Sequence, residues 1–133
     1  MKLRVINPNT TASMTALIGE AARAVAAPGT LIEAVQPSFG APSIEGHHDD
    51  VWAAAGVAEQ VRLGEAGGAD AHIIACFGDP GLHGARELTD ARRGGGAEAA
   101  LEGAVEVERH GGQQLLVGHR GEERGPVAAA AVI

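Results

Sequence analysis

The sequence predicts an α/β domain of three layers, built on a parallel sheet of the Rossmann-like, doubly wound type. Three observations carry this. Short β-rich apolar runs alternate with helical patterns in the order β-α-β-loop-α-β-loop-α over the first ninety residues. The run around His72-Ile73-Ile74 is apolar throughout, as a strand covered on both faces should be. Each run ends in a turn-forming segment, so three strand tips meet at one edge, where open α/β sheets place their ligands.

Taken in order, Leu3 to Ile6 reads as the first strand and Asn7-Pro8-Asn9-Thr10-Thr11 as the turn that leads into a helix. Met14, Leu17, Ile18, Ala21, Ala22 and Val25 recur at helical spacing, so an amphipathic helix is expected over 12–27. Pro28-Gly29 stops it. A second strand is expected over 30–35. Residues 36–50 are irregular, and a segment of that length is often functional. Asp49 or Asp50 is then expected to cap a helix over 51–66, with Val57, Val61 and Leu63 on its apolar side. Gly67-Gly68 ends it. The third strand, 71–75, runs into Cys76-Phe77-Gly78-Asp79-Pro80-Gly81, and a third helix is expected near Leu82.

The character changes after about Thr89. Between Arg92 and Gly125 the sequence is dominated by Gly, Glu and Arg. Its larger aliphatics are too few to offset an ordering cost of about 1–2 kcal/mol per residue. The domain is therefore placed at 1–90. Residues 91–133 are read as a Gly/Arg/Ala-rich tail, expected to be disordered, with a short helix over 97–107 and a strand over 113–118 as the elements it could hold.

Composition bounds the function. A chain of 133 residues with a formal net charge of −7 is poorly suited to nucleic acid or an anionic membrane surface. Aromatics are only Phe39, Trp52 and Phe77, so the core must be built from small aliphatics. The single cysteine excludes an internal disulfide and fits a reducing cytoplasm. Met1-Lys2-Leu3-Arg4 leads into a strand, so no signal peptide is expected, and no stretch reaches transmembrane length free of charge and Gly.

Two loops could carry chemistry. Asn7-Pro8-Asn9-Thr10-Thr11 offers amides, hydroxyls and a helix start, which suit a carboxylate, an imide or a phosphate. The same residues are also ordinary turn formers. Cys76-Phe77-Gly78-Asp79 offers a thiol at a strand tip, either a reactive acid/base or a buried inert cysteine, and Asp79 could simply cap the next helix. His47-His48-Asp49-Asp50 lacks metal-ligand spacing, so no metal is assigned. His72 reads as a strand imidazole, and His83 as a possible thiol partner or a plain surface residue.

Together, Arg4-Val5-Ile6-Asn7-Pro8-Asn9-Thr10-Thr11, Pro42-Ser43-Ile44-Glu45-Gly46-His47 and Ile74-Ala75-Cys76-Phe77-Gly78-Asp79-Pro80-Gly81-Leu82 resemble the Asp/Glu/hydantoin racemase family, and in particular its hydantoin-acting members. The resemblance implies half of a two-domain racemase fold. It also implies a cofactor-independent isomerase that moves a proton at the carbon α to a carbonyl with two cysteines, one on each face. It implies Cys76 as one acid/base, a substrate site lined by Asn7, Asn9, Thr10 and Thr11, and backbone donors at Phe77 and Gly78. The substrate would be a small molecule, a 5-substituted hydantoin. Alternatives are an Asp/Glu-type amino-acid racemase and a non-catalytic interaction domain of the same fold. Half of a doubly wound fold leaves an apolar face to be covered by another chain or by a homo-oligomer. Family chains are longer and carry the second cysteine in their second half. The expectation is therefore a truncated or frame-shifted chain with impaired turnover.

Overall fold

The computed structural model describes residues 1–90, 104–107 and 115–118. Its centre is β1 (Lys2–Ile6), with β2 (Leu31–Val35) and β3 (Ala71–Ile74) parallel to it on either side. Three helices connect and follow them: α1 (Ala12–Val25), α2 (His47–Ala66) and α3 (Leu82–Asp90). The predicted order and the parallel sheet are as observed.

Strand alternation divides the core into two layers. Leu3 and Val5 of β1 join Ile32, Ala71 and Ile73 on one face, against Ile18 and Ala22 of α1. Ile6 and Ile74 lie on the other face, with Val57 and Val61 of α2 and Ala85 of α3. Helices thus cover both faces, and the three-layer α/β class holds.

The buried stripe of α1 differs from the expected one. Thr15, Ile18, Gly19 and Ala22 face inward, while Met14, Leu17 and Val25 are exposed. Small residues let the helix sit close to the sheet; a Cβ on Gly19 would come within 2.8 Å of Ala34 Cβ. Thr15 is drawn inward by hydrogen bonds rather than by apolar burial. On α2, Val57 and Val61 are buried as expected and Leu63 is exposed.

The core is not purely aliphatic. Arg4, Glu33 and His72 occupy one level across the three strands. Arg4 donates to Glu33 Oε2 and to Gln60 Oε1, each at 2.7 Å, and His72 Nε2 lies 3.0 Å from Glu65 Oε1. Gly64 is what lets α2 pass over this polar layer, because a Cβ there would sit 2.3 Å from the His72 ring.

Two boundaries also move. Helix α2 begins at His47, four residues earlier than expected, with Gly46 as its N-cap. Asp49 and Asp50 are therefore inside its first turn, not before it. Asp49 still serves the helix start, accepting from the N–H groups of Glu45 at 3.1 Å and Gly46 at 3.2 Å. Ala104–Val107 is a strand, β4, where a helix was expected, and it pairs antiparallel with β5 (Leu115–Gly118). The β-branched residues of Ala-Val-Glu-Val favour that state once a partner strand is present. The remainder of 91–133, and with it the expectation of disorder, lies outside the described residues.

Candidate functional site

The site is built at the carboxyl edge of the sheet. Ile6 is level with Val35 on one side and with Ile74 on the other, so the three strands end together. Asn7 N–H donates to Val35 O and Ala75 N–H to Ile6 O, both at 2.8 Å, which carries the pairing one residue further. The Asn7–Thr11 loop, the segment after β2 and the Cys76 turn consequently rise from adjacent positions.

The first loop is shaped by its two asparagines. Asn7 Oδ1 accepts from Asn9 N–H at 3.3 Å, and Asn9 Oδ1 accepts from Thr11 N–H at 2.9 Å, two successive Asx turns. Asn7 is 0% exposed, and its Nδ2 donates to Asn9 Oδ1 at 2.9 Å and to Thr15 Oγ1 at 3.0 Å. Its amide therefore supports the loop from beneath. Among the described residues Asn9 Nδ2 meets only the thioether of Met14, at 3.2 Å, a weak acceptor that leaves this donor largely available. The Thr10 hydroxyl has no hydrogen-bond partner among the described residues.

Thr11 stands at the N-cap of α1, yet its hydroxyl does not cap the helix. It donates to Pro42 O at 2.6 Å. With Thr10 N–H donating to Ala41 O at 3.1 Å, this fastens the segment after β2 onto the loop after β1.

Cys76 lies two residues beyond β3, half-buried against the cluster of Ile6, Val57, Val61, Ile74 and Ala85. Its carbonyl accepts from Asp79 N–H at 3.3 Å, closing a tight turn in which Asp79 holds a left-handed φ of 46°. Among the described residues the N–H groups of Phe77 and Gly78 have no hydrogen-bond partner. Space around Gly78 is open, and Phe77 is 66% exposed. Burial pushes the Asp79 carboxyl above the usual carboxylate range, against the pull of the Arg86 charge. Gly81 follows with φ +72°, and a Cβ there would sit 2.8 Å from Ala54 O, so the turn is pressed onto α2.

His83 is exposed on the first turn of α3 and forms no hydrogen bond or ion pair among the described residues. His47 and His48 are exposed, and His48 leans on Asp49 at 3.6 Å. Among the described residues no three His, Cys, Asp or Glu side chains are grouped to hold a metal, and no helix is long and apolar enough to cross a membrane.

The pairing of Phe39 with Trp52, and the exposure of all three aromatic side chains, are features that sequence reasoning did not find. Phe39 and Trp52 pack edge to face with centroids 6.1 Å apart, beside the segment fastened to Thr10 and Thr11. Phe77 stands on the Cys76 turn. All three are at least one-third exposed, so none serves the core. Thr15 and Gln36, which join the first two loops, were missed as well; an isolated Thr in a helix and a Gln after a strand carry no signal of their own.

This arrangement defines an α/β domain with a thiol and an Asn/Thr loop at one strand-end edge. Residues 3–132 match the family described as Asp/Glu/Hydantoin racemase, and the chain belongs to that family. It is similar to the hydantoin racemase of Pseudomonas sp. (strain NS671), 50% identical over 101 residues, which are 76% of this chain and 41% of that protein. It is also similar to the hydantoin racemase of Rhizobium meliloti, 43% identical over 109 residues, 82% of this chain and 45% of that protein. Among solved structures, the allantoin racemase from Klebsiella pneumoniae superposes with a TM-score of 0.65 and 63% identity, covering 65% of this chain and 36% of that one. The chain spans less than half the length of these relatives.

Proposed function

We propose that this chain carries one side of a cofactor-independent, cysteine-based racemase site for 5-substituted hydantoins, with Cys76 as the acid/base on one face of the substrate. The observation that supports it most is the single edge at which the Cys76 turn, whose Phe77 and Gly78 N–H groups have no partner among the described residues, stands beside the Asn7–Thr11 loop.

The chemistry is economical. The proton at C5 of a hydantoin is α to a ring carbonyl. A Cys76 thiolate takes that proton; the C–H electron pair moves into the carbonyl, giving an enolate and a neutral thiol. Thiols have an ordinary pKa of about 8.5 and are tuned readily toward neutrality. The Phe77 and Gly78 N–H groups supply hydrogen bonds to the developing oxyanion. Asn9 Nδ2 and the Thr10 hydroxyl serve the other ring acceptors, while Asn7 and Thr11, whose N–H and hydroxyl are donated to Asn9 Oδ1 and Pro42 O, hold that loop in shape. Inversion needs a second acid on the opposite face. The only thiol in these 133 residues is Cys76, so this chain returns the proton to the face it left.

Two features favour a hydantoin over a dicarboxylic amino acid. The donors named at this edge are neutral amides and hydroxyls, which serve ring carbonyls without bringing a cation to pair with a side-chain carboxylate. The exposed Phe39–Trp52 pair and Phe77 suit an apolar group at C5. Allantoin is itself a hydantoin with a ureido group at C5, so the names of the relatives share one ring.

Thiol alkylation tests the assignment. A 5-benzylhydantoin should slow labelling of Cys76 by iodoacetamide, and N-acetylaspartate should not. Equal labelling with and without the hydantoin would remove Cys76 from the site.

A further inference from the structure

A hydroxyl of α1 and an amide after β2 are joined in a chain of hydrogen bonds that runs in one direction only. Thr10 O accepts from Gln36 Nε2 at 2.8 Å. A carbonyl cannot donate, so the Gln36 amide is held with its nitrogen toward Thr10 and its oxygen toward Thr15. Thr15 Oγ1 lies 2.6 Å from that oxygen and has one proton, which is thereby committed to Gln36. The 3.3 Å approach of the same hydroxyl to Thr11 O is the weaker alternative. Its lone pairs are then free to accept from Asn7 Nδ2 at 3.0 Å. Asn7 in turn fixes Asn9, and Asn9 fixes the Thr11 N–H. Reversing any one amide would set two acceptors or two donors face to face.

We infer that Thr15 and Gln36 are positioning residues of the substrate site, holding the Asn9-Thr10-Thr11 loop in its binding geometry through Asn7 and the Thr10 carbonyl. The role rests on the hydantoin reading above for what the loop binds; the ordering of the loop does not. Neither residue need touch the ligand. Thr15 is buried in α1, beneath the loop. Gln36 ties the loop to the segment after β2 independently of the Thr10 N–H to Ala41 O bond.

The test uses the whole chain with four substitutions: Thr15→Val, Thr15→Ser, Gln36→Glu and Gln36→Leu. Two readouts are taken: hydrogen exchange of the Thr10 and Thr11 amides by NMR, and binding of 5-benzylhydantoin by shift titration. Valine keeps the shape of Thr15 and removes its hydroxyl. It should speed Thr11 exchange and weaken binding, each about tenfold, the size of one lost hydrogen bond. Serine should restore both to within about twofold of the wild type, because the hydroxyl is retained. Gln36→Glu, which removes the donor to Thr10 O, should reproduce the valine effect. Amides of β1 should stay protected throughout, which separates loop loosening from unfolding. If Thr15→Val is too unstable to study, the two Gln36 variants decide. Unchanged Thr10 and Thr11 exchange in the Gln36 variants, or failure of serine to restore it, overturns the inference. If the wild type takes up no hydantoin, the functional reading falls, and the loop amides alone judge the positioning role.

Discussion

Ile6 and Ile74 end adjacent parallel strands at the same level, and that pairing brings the Asn7 loop and the Cys76 turn to one edge. Ile6 is fully buried, and Asn7 directly after it has no solvent exposure either. The site is therefore anchored in the core at its base and open only at its tips. Its geometry should be sensitive to changes beneath it.

Replacing Asn7 by alanine removes the amide that serves Asn9 and Thr15. The Asn9 N–H is left without its acceptor and Asn9 Oδ1 and Thr15 Oγ1 each lose one donor, at a cost of about 1–3 kcal/mol. Urea unfolding should show this as a lower midpoint with an unchanged slope. Asn7→Asp should cost more at neutral pH, since it replaces a donor by a buried charge.

Gly81 should not tolerate alanine. Its φ of +72° disfavours a side chain, and the added Cβ would meet the Ala54 backbone. A loss of about 1–3 kcal/mol is expected from backbone strain, with further loss from displaced packing. Because the turn carries Cys76, thiol labelling should speed up in Gly81→Ala under conditions where the protein remains folded.

The pH dependence has a definite sign. Burial pushes the Glu33 carboxyl up, but the hydrogen bond and charge of Arg4, aided by Lys2, outweigh it and hold the group below its ordinary value of 4.5. Glu59 is likewise held low, first by the Ser38 hydroxyl and then by the Ser38 N–H. A carboxyl lowered on folding contributes stability that is fully present above its unfolded pKa and is lost as pH falls through the folded one. Stability should therefore drop as pH falls below about 4.5, and Glu33→Gln should flatten that drop. Asp79 runs the other way. Its pKa is raised on folding, so its neutral form favours the fold, and the benefit disappears as pH rises through the folded value. Asp79→Asn should leave stability at pH 7 no lower than the wild type. Asparagine also accepts the left-handed φ of this position.

Much of this was legible in the sequence. The apolar run at β3 and the alternation of strands with helical stretches fixed the class, because both report burial directly. The pairing of Asn7-Pro8-Asn9-Thr10-Thr11 with Cys76 was legible because each follows a strand and parallel strands share an edge. The buried stripe of α1 was not, since Met14 and Leu17 are as apolar as Ile18 and only close approach at Gly19 decides which face turns inward. The polar layer of Arg4, Glu33 and His72 was hidden for a related reason. It depends on strand register, and charged residues ordinarily mark a solvated face. The start of α2 at His47 rested on Asp49 reaching back to the Gly46 N–H, a contact that two adjacent aspartates do not reveal.

The role proposed for Cys76 is to take a proton from the substrate. The most direct measurement is proton NMR of an enantiopure 5-benzylhydantoin in deuterated water with the whole chain, at a pH where spontaneous exchange is slow. The expected result is loss of the C5 proton signal by deuterium incorporation with retained optical rotation, and no incorporation above background with Cys76→Ala. Incorporation that persists at the wild-type rate in Cys76→Ala would contradict it.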